Sequence, residues 1–115
     1  MDRTSDAGLS TLDYHVLLSV AEGPLHGYAV RDAVEEESEG TLTPRAGSLY
    51  RVIARLMSAG WVVETGAPDH HAPHPGRPRR YYGLTAEGRI ALAEEARRLK
   101  SAAALAEKRL SPGRP

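Results

Sequence analysis

The carboxy-terminal third of this chain constrains what the rest can become. Leu92, Ala96, Leu99, Ala103, Ala106 and Leu110 step by 4, 3, 4, 3 and 4 residues, the spacing of a heptad seam on one helix face. Thr85 stands where an N-cap belongs, and no Pro or Gly interrupts residues 89–110, so the spacing predicts one helix over 85–110. At 1.5 Å per residue, ~25 residues span about 38 Å. A chain of 115 residues supports one modest core, too small to cover a stripe of that length. The surplus needs a partner, and a second copy of the same chain is the simplest one. The small Ala positions permit close approach. The expectation is a homodimer clasped through those six residues.

Upstream, turn-forming residues divide the chain into short elements. Leu9, Leu12, Val16, Leu17 and Val20 recur at helical spacing and predict a helix over 10–21, capped by Ser10 or Thr11, with Asp13 in its first turn. Glu22-Gly23-Pro24 stops it, and Leu25-His26-Gly27 reads as a short extended link. A second helix over 28–38 turns Val30, Ala33 and Val34 inward and ends at Gly40, with an acidic outer face. Thr43-Pro44 predicts the start of a third helix, Thr as cap and Pro at the first helical position, running to Ala59 with Gly60 closing it. Residues 61–65 and 79–84 read as two strands of a hairpin around a Gly- and Pro-rich loop at 66–78. Alternation predicts that one of Tyr81 and Tyr82 is core and the other exposed.

Composition narrows the function. There is no Phe, one Trp and five Tyr, so Leu, Val and Ala must do the packing. Cys is absent, which excludes disulfide scaffolds, thiolate metal sites and thiol catalysis. No apolar run approaches ~18 residues, and Met1-Asp2-Arg3-Thr4-Ser5-Asp6 lacks a basic and then apolar leader. The expectation is a cytoplasmic protein with no membrane partner. No nucleophile–base pair, phosphate-cradling Gly loop or paired carboxylates stand out. Glu35-Glu36-Glu37 reads as a solvated helix face, so no enzymatic activity and no cofactor are expected.

Net charge is zero, from 15 bases and 15 acids, but unevenly placed. Residues 1–39 hold two bases against nine acids, a balance of −7; residues 40–86 hold six bases against two acids, +4; residues 87–115 hold seven against four, +3. Every base in the middle segment is Arg, the residue that forks onto phosphates and guanine edges. Taking 100° per residue, the third helix places Leu49, Leu56, Ile53, Val52, Ala46, Met57 and Tyr50 in one packing arc, Tyr50 at its edge, and turns Ser48, Arg51 and Arg55 away, with Arg45 at its head. Arg77, Arg79 and Arg80 stand at the foot of the hairpin.

Helix–helix–helix–strand–loop–strand–helix is the order of a winged helix-turn-helix, whose third helix enters the major groove beside the hairpin. The predicted fold is therefore mainly α (α+β): a winged helix-turn-helix over 9–84, a dimerisation helix over 85–110, and flexible tails at 1–8 and 111–115. Double-stranded DNA is the expected partner.

Three segments carry a family resemblance: Glu22-Gly23-Pro24-Leu25-His26-Gly27-Tyr28; Gly47-Ser48-Leu49-Tyr50 with Arg55-Leu56 and Gly60-Trp61-Val62; and Gly76-Arg77-Pro78-Arg79-Arg80-Tyr81-Tyr82-Gly83-Leu84-Thr85-Ala86-Glu87-Gly88. In order and spacing, from Leu9 to Gly88, they resemble the PadR family of bacterial transcriptional regulators. The resemblance implies a winged-helix homodimer that represses transcription at a pseudo-palindromic operator and is released by a small-molecule effector. It also implies that Ser48 and Tyr50 touch the DNA backbone and that the wing Arg residues reach phosphates or the minor groove. Tyr50 equally fits a half-buried core residue with a wet hydroxyl. Family members that stack flat drugs between subunits place a Trp on the last helix; here 85–110 has no aromatic residue, and the only Trp is Trp61.

Two other readings use different residues. The acidic second helix would suit a winged helix that docks proteins. His70, His71 and His74, with Asp69, are the right donor types for zinc or copper and would make a metal-responsive regulator.

Overall fold

Ser10 and Asp13 start the fold. The Ser10 Oγ accepts from the Asp13 N–H at 3.0 Å, and the Asp13 carboxylate accepts from the Ser10 N–H at 3.1 Å, the reciprocal pairing of a capping box. The computed structural model describes residues 9–66 and 80–112; the expectations for residues 1–8, the loop to residue 79 and the end of the tail lie outside it. Seven elements follow in order: α1 (Thr11–Ser19), β1 (Leu25–His26), α2 (Gly27–Glu37), α3 (Ala46–Ser58), β2 (Val62–Thr65), β3 (Tyr81–Leu84) and α4 (Ala86–Leu110). The chain is thus mostly helical with one small antiparallel sheet, and none of the described helices is long and apolar enough to cross a membrane.

The three short helices close around one core. α1 contributes Val16 and Leu17, with Val20 just past its end; α2 contributes Val30 and Val34; α3 contributes Leu49, Val52, Ile53 and Leu56. Val62 of β2 and Tyr82 of β3 complete it. α2 and α3 thus bury one stripe and leave the opposite side to solvent, whereas α1 is covered all round, only Thr11 of its residues being exposed. Between α1 and α2, the His15 Nδ1 lies 3.5 Å from the Glu37 Oε1 and makes no other hydrogen bond. Glu35, Glu36 and Glu37 are exposed, as expected for the acidic run, with the Glu37 side chain leaning on His15 at 28% exposed. Burial raises its pKa, and the neighbouring His15 opposes the rise.

Three details differ from expectation. The link at Leu25–His26 is a strand: it pairs antiparallel with β3, Leu25 opposite Tyr82 and His26 opposite Tyr81, giving the sheet order β1-β3-β2. β3 is thus the central strand, and both of its faces are occupied: Tyr82 joins the core and Tyr81 is buried on the other face, at 5% and 6% exposed. The His26 ring meets Tyr81 edge-on at 5.6 Å. α2 is capped by His26, whose Nδ1 accepts from the Ala29 N–H at 3.2 Å. Finally, α3 starts later than Thr43-Pro44. Its N-cap is Arg45, extended and with no side-chain cap. Leu42 packs on the core, and its N–H is held by the Ser38 Oγ at 3.0 Å. The following Pro44 also disfavours helical backbone at Thr43, so the segment stays extended until it reaches the α3 axis.

Gly60 closes α3 as expected. It takes the left-handed φ of 84°, and the Gly60 and Trp61 N–H groups donate to the Met57 and Leu56 carbonyls at 3.0 Å each, the two bonds of a Schellman motif. At the end of α2 the left-handed position falls to Glu39, φ 55°, one residue before Gly40. Thr85 caps α4, its Oγ1 accepting from the Gly88 N–H at 2.9 Å and donating to the Gly60 carbonyl at 2.6 Å. The start of α4 is thereby tied to the end of α3.

Candidate nucleic-acid interface

α3 presents its chemistry by rotation about one axis. Leu49, Ile53, Leu56 and Val52 are 1–7% exposed and define the inward side, which is narrower than expected, since Ala46, Tyr50 and Met57 at its edges and amino-terminal end are exposed. Counting from Leu49 at about 100° per residue, Ala54, Gly47, Ser58 and Arg51 fall at about 140–200°, the side facing away from the core. All four are exposed. Arg51 is the one charged group on that outward line, and its neighbours there are small. Its Nη2 donates to the Ser48 Oγ at 3.4 Å, while its other terminal nitrogen lies beside Gly47. The guanidinium is thus laid back toward the amino-terminal end of α3.

Arg55 lies to the side of that line, and the structure separates it from Arg51. Its Nη2 donates to the Asp13 Oδ1, across from α1. Asp13 is 7% exposed and divides its oxygens, Oδ2 serving the capping box and Oδ1 serving Arg55. Asp13 thus fixes both the start of α1 and the position of α3. Arg55 keeps a side chain 54% exposed, so the pair is partly screened. Asp13→Ala is expected to lose the carboxylate half of the capping box and the Arg55 contact together, about 2 kcal/mol, while the Ser10 Oγ keeps its bond from the backbone N–H of residue 13. In thermal denaturation that is on the order of a 10 °C fall, and Asp13→Asn should recover part of it through the cap.

Tyr50 sits at the seam between α3 and α2. It is 47% exposed, and its hydroxyl lies against Gly27, where a Cβ would come within 2.2 Å of it. Its ring is thus exposed while its hydroxyl packs against the Gly27 backbone, at the rim shared with Tyr28, which is 68% exposed, and with Arg31. These residues line a cleft of only about 50 Å³. Arg45 is exposed at the head of α3. On the hairpin, Arg80 is exposed, with its Nε 3.9 Å from the Glu64 Oε2 on the neighbouring strand; Arg77 and Arg79 lie outside the described residues. So do His70, His71 and His74, and among the described residues no cluster of His, Asp or Glu could hold a metal ion.

The seam of α4 divides in two. Leu92 packs against its own chain's core and Ala96 is half-buried, whereas every residue from Arg97 to Leu110 is exposed. Leu99 and Leu110 are 44% and 80% exposed, and Leu105, off the seam, 45%.

Sequence reasoning missed Asp13 as the partner of Arg55, His26 as the cap of α2 and Gly27 as the seat of Tyr50. The Ser10-x-x-Asp13 pattern signalled the cap. No local signal could reveal a contact 42 residues away.

Comparison with known proteins agrees with this architecture. An uncharacterized 37.1 kDa protein in transposon TN4556 of Streptomyces fradiae is 39% identical over 94 residues, 82% of this chain but 23% of that protein. The chain thus spans less than a quarter of that relative's length. A PadR family transcriptional regulator from Eggerthella lenta superposes with a TM-score of 0.69 at 26% identity, covering 90% of this chain and 84% of that one. Bacillus subtilis PadR in complex with operator DNA shares the fold at a TM-score of 0.61 and 20% identity, over 76% of this chain and 47% of that one. Residues 16–94 match the profile of the Transcriptional regulator PadR-like family, and with the helices, sheet and α3 arranged as described, the chain belongs to that family of transcription regulators.

Proposed function

We propose that the protein is a sequence-specific DNA-binding repressor that works as a homodimer on a pseudo-palindromic operator. The observation that carries this reading is the outward line of α3: one arginine among Gly47, Ala54 and Ser58, with the core residues on the opposite side. Small neighbours let the helix lie close to the groove floor, and a long fork reaches the base edges. Arg45, Tyr50 and the wing residues Arg77, Arg79 and Arg80 surround it as contacts to phosphates or the minor groove, and Ser48 lies at the same end. The Bacillus subtilis relative of the same fold is found in complex with operator DNA, which supports duplex DNA as the partner.

Dimerisation supplies the second half-site. The exposed seam of α4, Leu99, Ala103, Ala106 and Leu110, extends the half-buried Leu92 and Ala96, and pairing with its two-fold mate would cover it. The two α3 helices would then sit one turn of DNA apart, roughly 34–36 Å. A small molecule that altered this spacing would release the operator.

The test is direct. A duplex selected from a random-sequence library by the purified protein is titrated by fluorescence anisotropy at several salt concentrations. Each phosphate contact contributes a slope of about −0.9 in log K against log salt, so affinity is expected to fall by about 10³ between 50 and 200 mM. Selection of no duplex, or binding indifferent to salt, would overturn the reading.

A further inference from the structure

We propose that Arg51 reads a guanine in each half-site, that Ser48 positions it to do so, and that Arg55 takes no part in base reading. This rests on the DNA-binding function proposed above and adds a division of labour within α3. Arg51 and Arg55 are one helical turn apart and look interchangeable in the sequence. The structure gives them different partners. Arg55 reaches sideways to a buried carboxylate on α1, so swinging it to a base would leave Asp13 buried without its partner, a costly state.

Arg51 has no such tie. It stands on the line directly away from the core, and its hydrogen bond to another side chain is the 3.4 Å contact from Nη2 to the Ser48 Oγ. Gly47 offers no side chain to obstruct it, the nearest approach to a Cβ there being 3.7 Å. The fork is held at the amino-terminal end of α3, the end from which recognition helices reach base edges. A guanidinium placed there matches the O6 and N7 acceptors of guanine. Because Ser48 occupies one donor of a group that has five, two parallel donors remain for the base. Holding the fork in advance also reduces the side-chain freedom lost on binding.

The experiment uses the full-length protein and the duplex it selects. Each guanine of a half-site is replaced in turn by 7-deazaguanine, which removes N7 and keeps Watson–Crick pairing. At one guanine per half-site the wild type should lose about tenfold in affinity. Arg51→Ala should bind the unmodified duplex about ten- to a hundredfold more weakly and be indifferent to the same replacement. Arg51→Lys should keep the salt slope of the wild type while losing most of the discrimination. Ser48→Ala should lose discrimination severalfold at unchanged salt slope, and Ser48→Thr should restore it. Arg55→Ala should lower thermal stability yet still sense the modified guanine.

A replacement that costs Arg51→Ala as much as the wild type would overturn the assignment, as would a wild type indifferent to every guanine. Circular dichroism of each variant separates these results from misfolding, which the exposed position of Arg51 makes unexpected. Should the wild type select no duplex at all, the DNA-binding reading itself falls, an outcome distinct from loss of the guanine contact alone.

Discussion

Leu99→Glu is expected to turn the proposed dimer into a monomer and to cost operator affinity at least a hundredfold, while leaving the fold of each chain intact. Leu99 lies past the last α4 residue that joins its own core, Leu92, and is 44% exposed in the single chain. Removing it therefore opens no cavity within one chain. In the proposed dimer the same change occurs twice. Fully burying a Leu is worth about 1.5–3 kcal/mol; the 44% of Leu99 still exposed is worth a little under half of that, so the pair accounts for about 1.5–2.5 kcal/mol, one to two powers of ten in the dissociation constant, and a carboxylate forced into the seam adds its desolvation cost. Two carboxylates brought to one seam add repulsion.

Sedimentation should show the wild type as a dimer and the variant as a monomer at the same micromolar concentration. Helicity should fall modestly, because the segment from Arg97 to Leu110 would lose its only packing surface; its several Ala residues retain helix propensity. DNA binding should fall further than the loss of contacts at one half-site, since the second half-site no longer binds as an intramolecular event. A variant that stays dimeric, or a monomer that binds the full operator as well as the wild type, would refute the seam.

What could be read from the sequence was local. The cap at Ser10 or Thr11, which the structure gives to Ser10, the Gly60 stop and the Thr85 cap each depend on residues within a few positions. The third helix could be rotated on paper, which separated Leu49, Val52, Ile53 and Leu56 from Arg51 and Arg55. What the rotation could not do was tell Arg51 from Arg55, because the difference lies in Asp13, 42 residues away. The same limit explains β1. Two residues are too few to show alternation, and Leu25–His26 becomes a strand only because β3 arrives beside it. Tyr81 and Tyr82 followed: alternation assigns the faces of a strand correctly, but a strand covered on both faces hides both. His26 escaped because imidazole is not among the usual capping side chains, although a neutral Nδ1 is an adequate acceptor.

Arg45 is the instructive exception among the helix starts. Thr43 and Pro44 have the local chemistry of a start, and the chain ignores it because Leu42, anchored to the core and to Ser38, sets where the segment can turn. As a result the cap position carries a cation with no side-chain bond to the helix. A cation there is unfavourable for the helix dipole and leaves the first-turn N–H groups uncapped by a side chain. Both features weaken α3 in isolation and suit an approaching phosphate. Within the proposed function, local stability has been traded for reach at the end of α3 that meets DNA.

Gly88→Ala is expected to damage the protein more than any exposed substitution. Gly88 is the buried residue of α4, and a Cβ there would lie 2.1 Å from the Trp61 carbonyl oxygen and 2.8 Å from the Leu84 Cδ1. The Leu84 side chain could yield, but the Trp61 oxygen is backbone and is itself the acceptor for the Thr85 N–H at 3.0 Å. Relieving the overlap requires α4 to withdraw from the start of β2. That strains the Thr85 bonds to Trp61 and Gly60, which join α4 to the end of α3. Overpacking of this kind costs about 3 kcal/mol, on the order of a 10–20 °C fall in Tm at equal protein concentration. Because the displaced helix carries the proposed dimer seam, operator binding should weaken even where the variant remains folded. Gly27→Ala is the control. The overlap there is with the tip of Tyr50, a half-exposed ring that can swing aside, so its Tm should change by only a few degrees. If Gly88→Ala proved as stable as Gly27→Ala, the close packing of α4 against Trp61 would be wrong, and with it the fixed angle at which α4 carries each α3 toward the DNA.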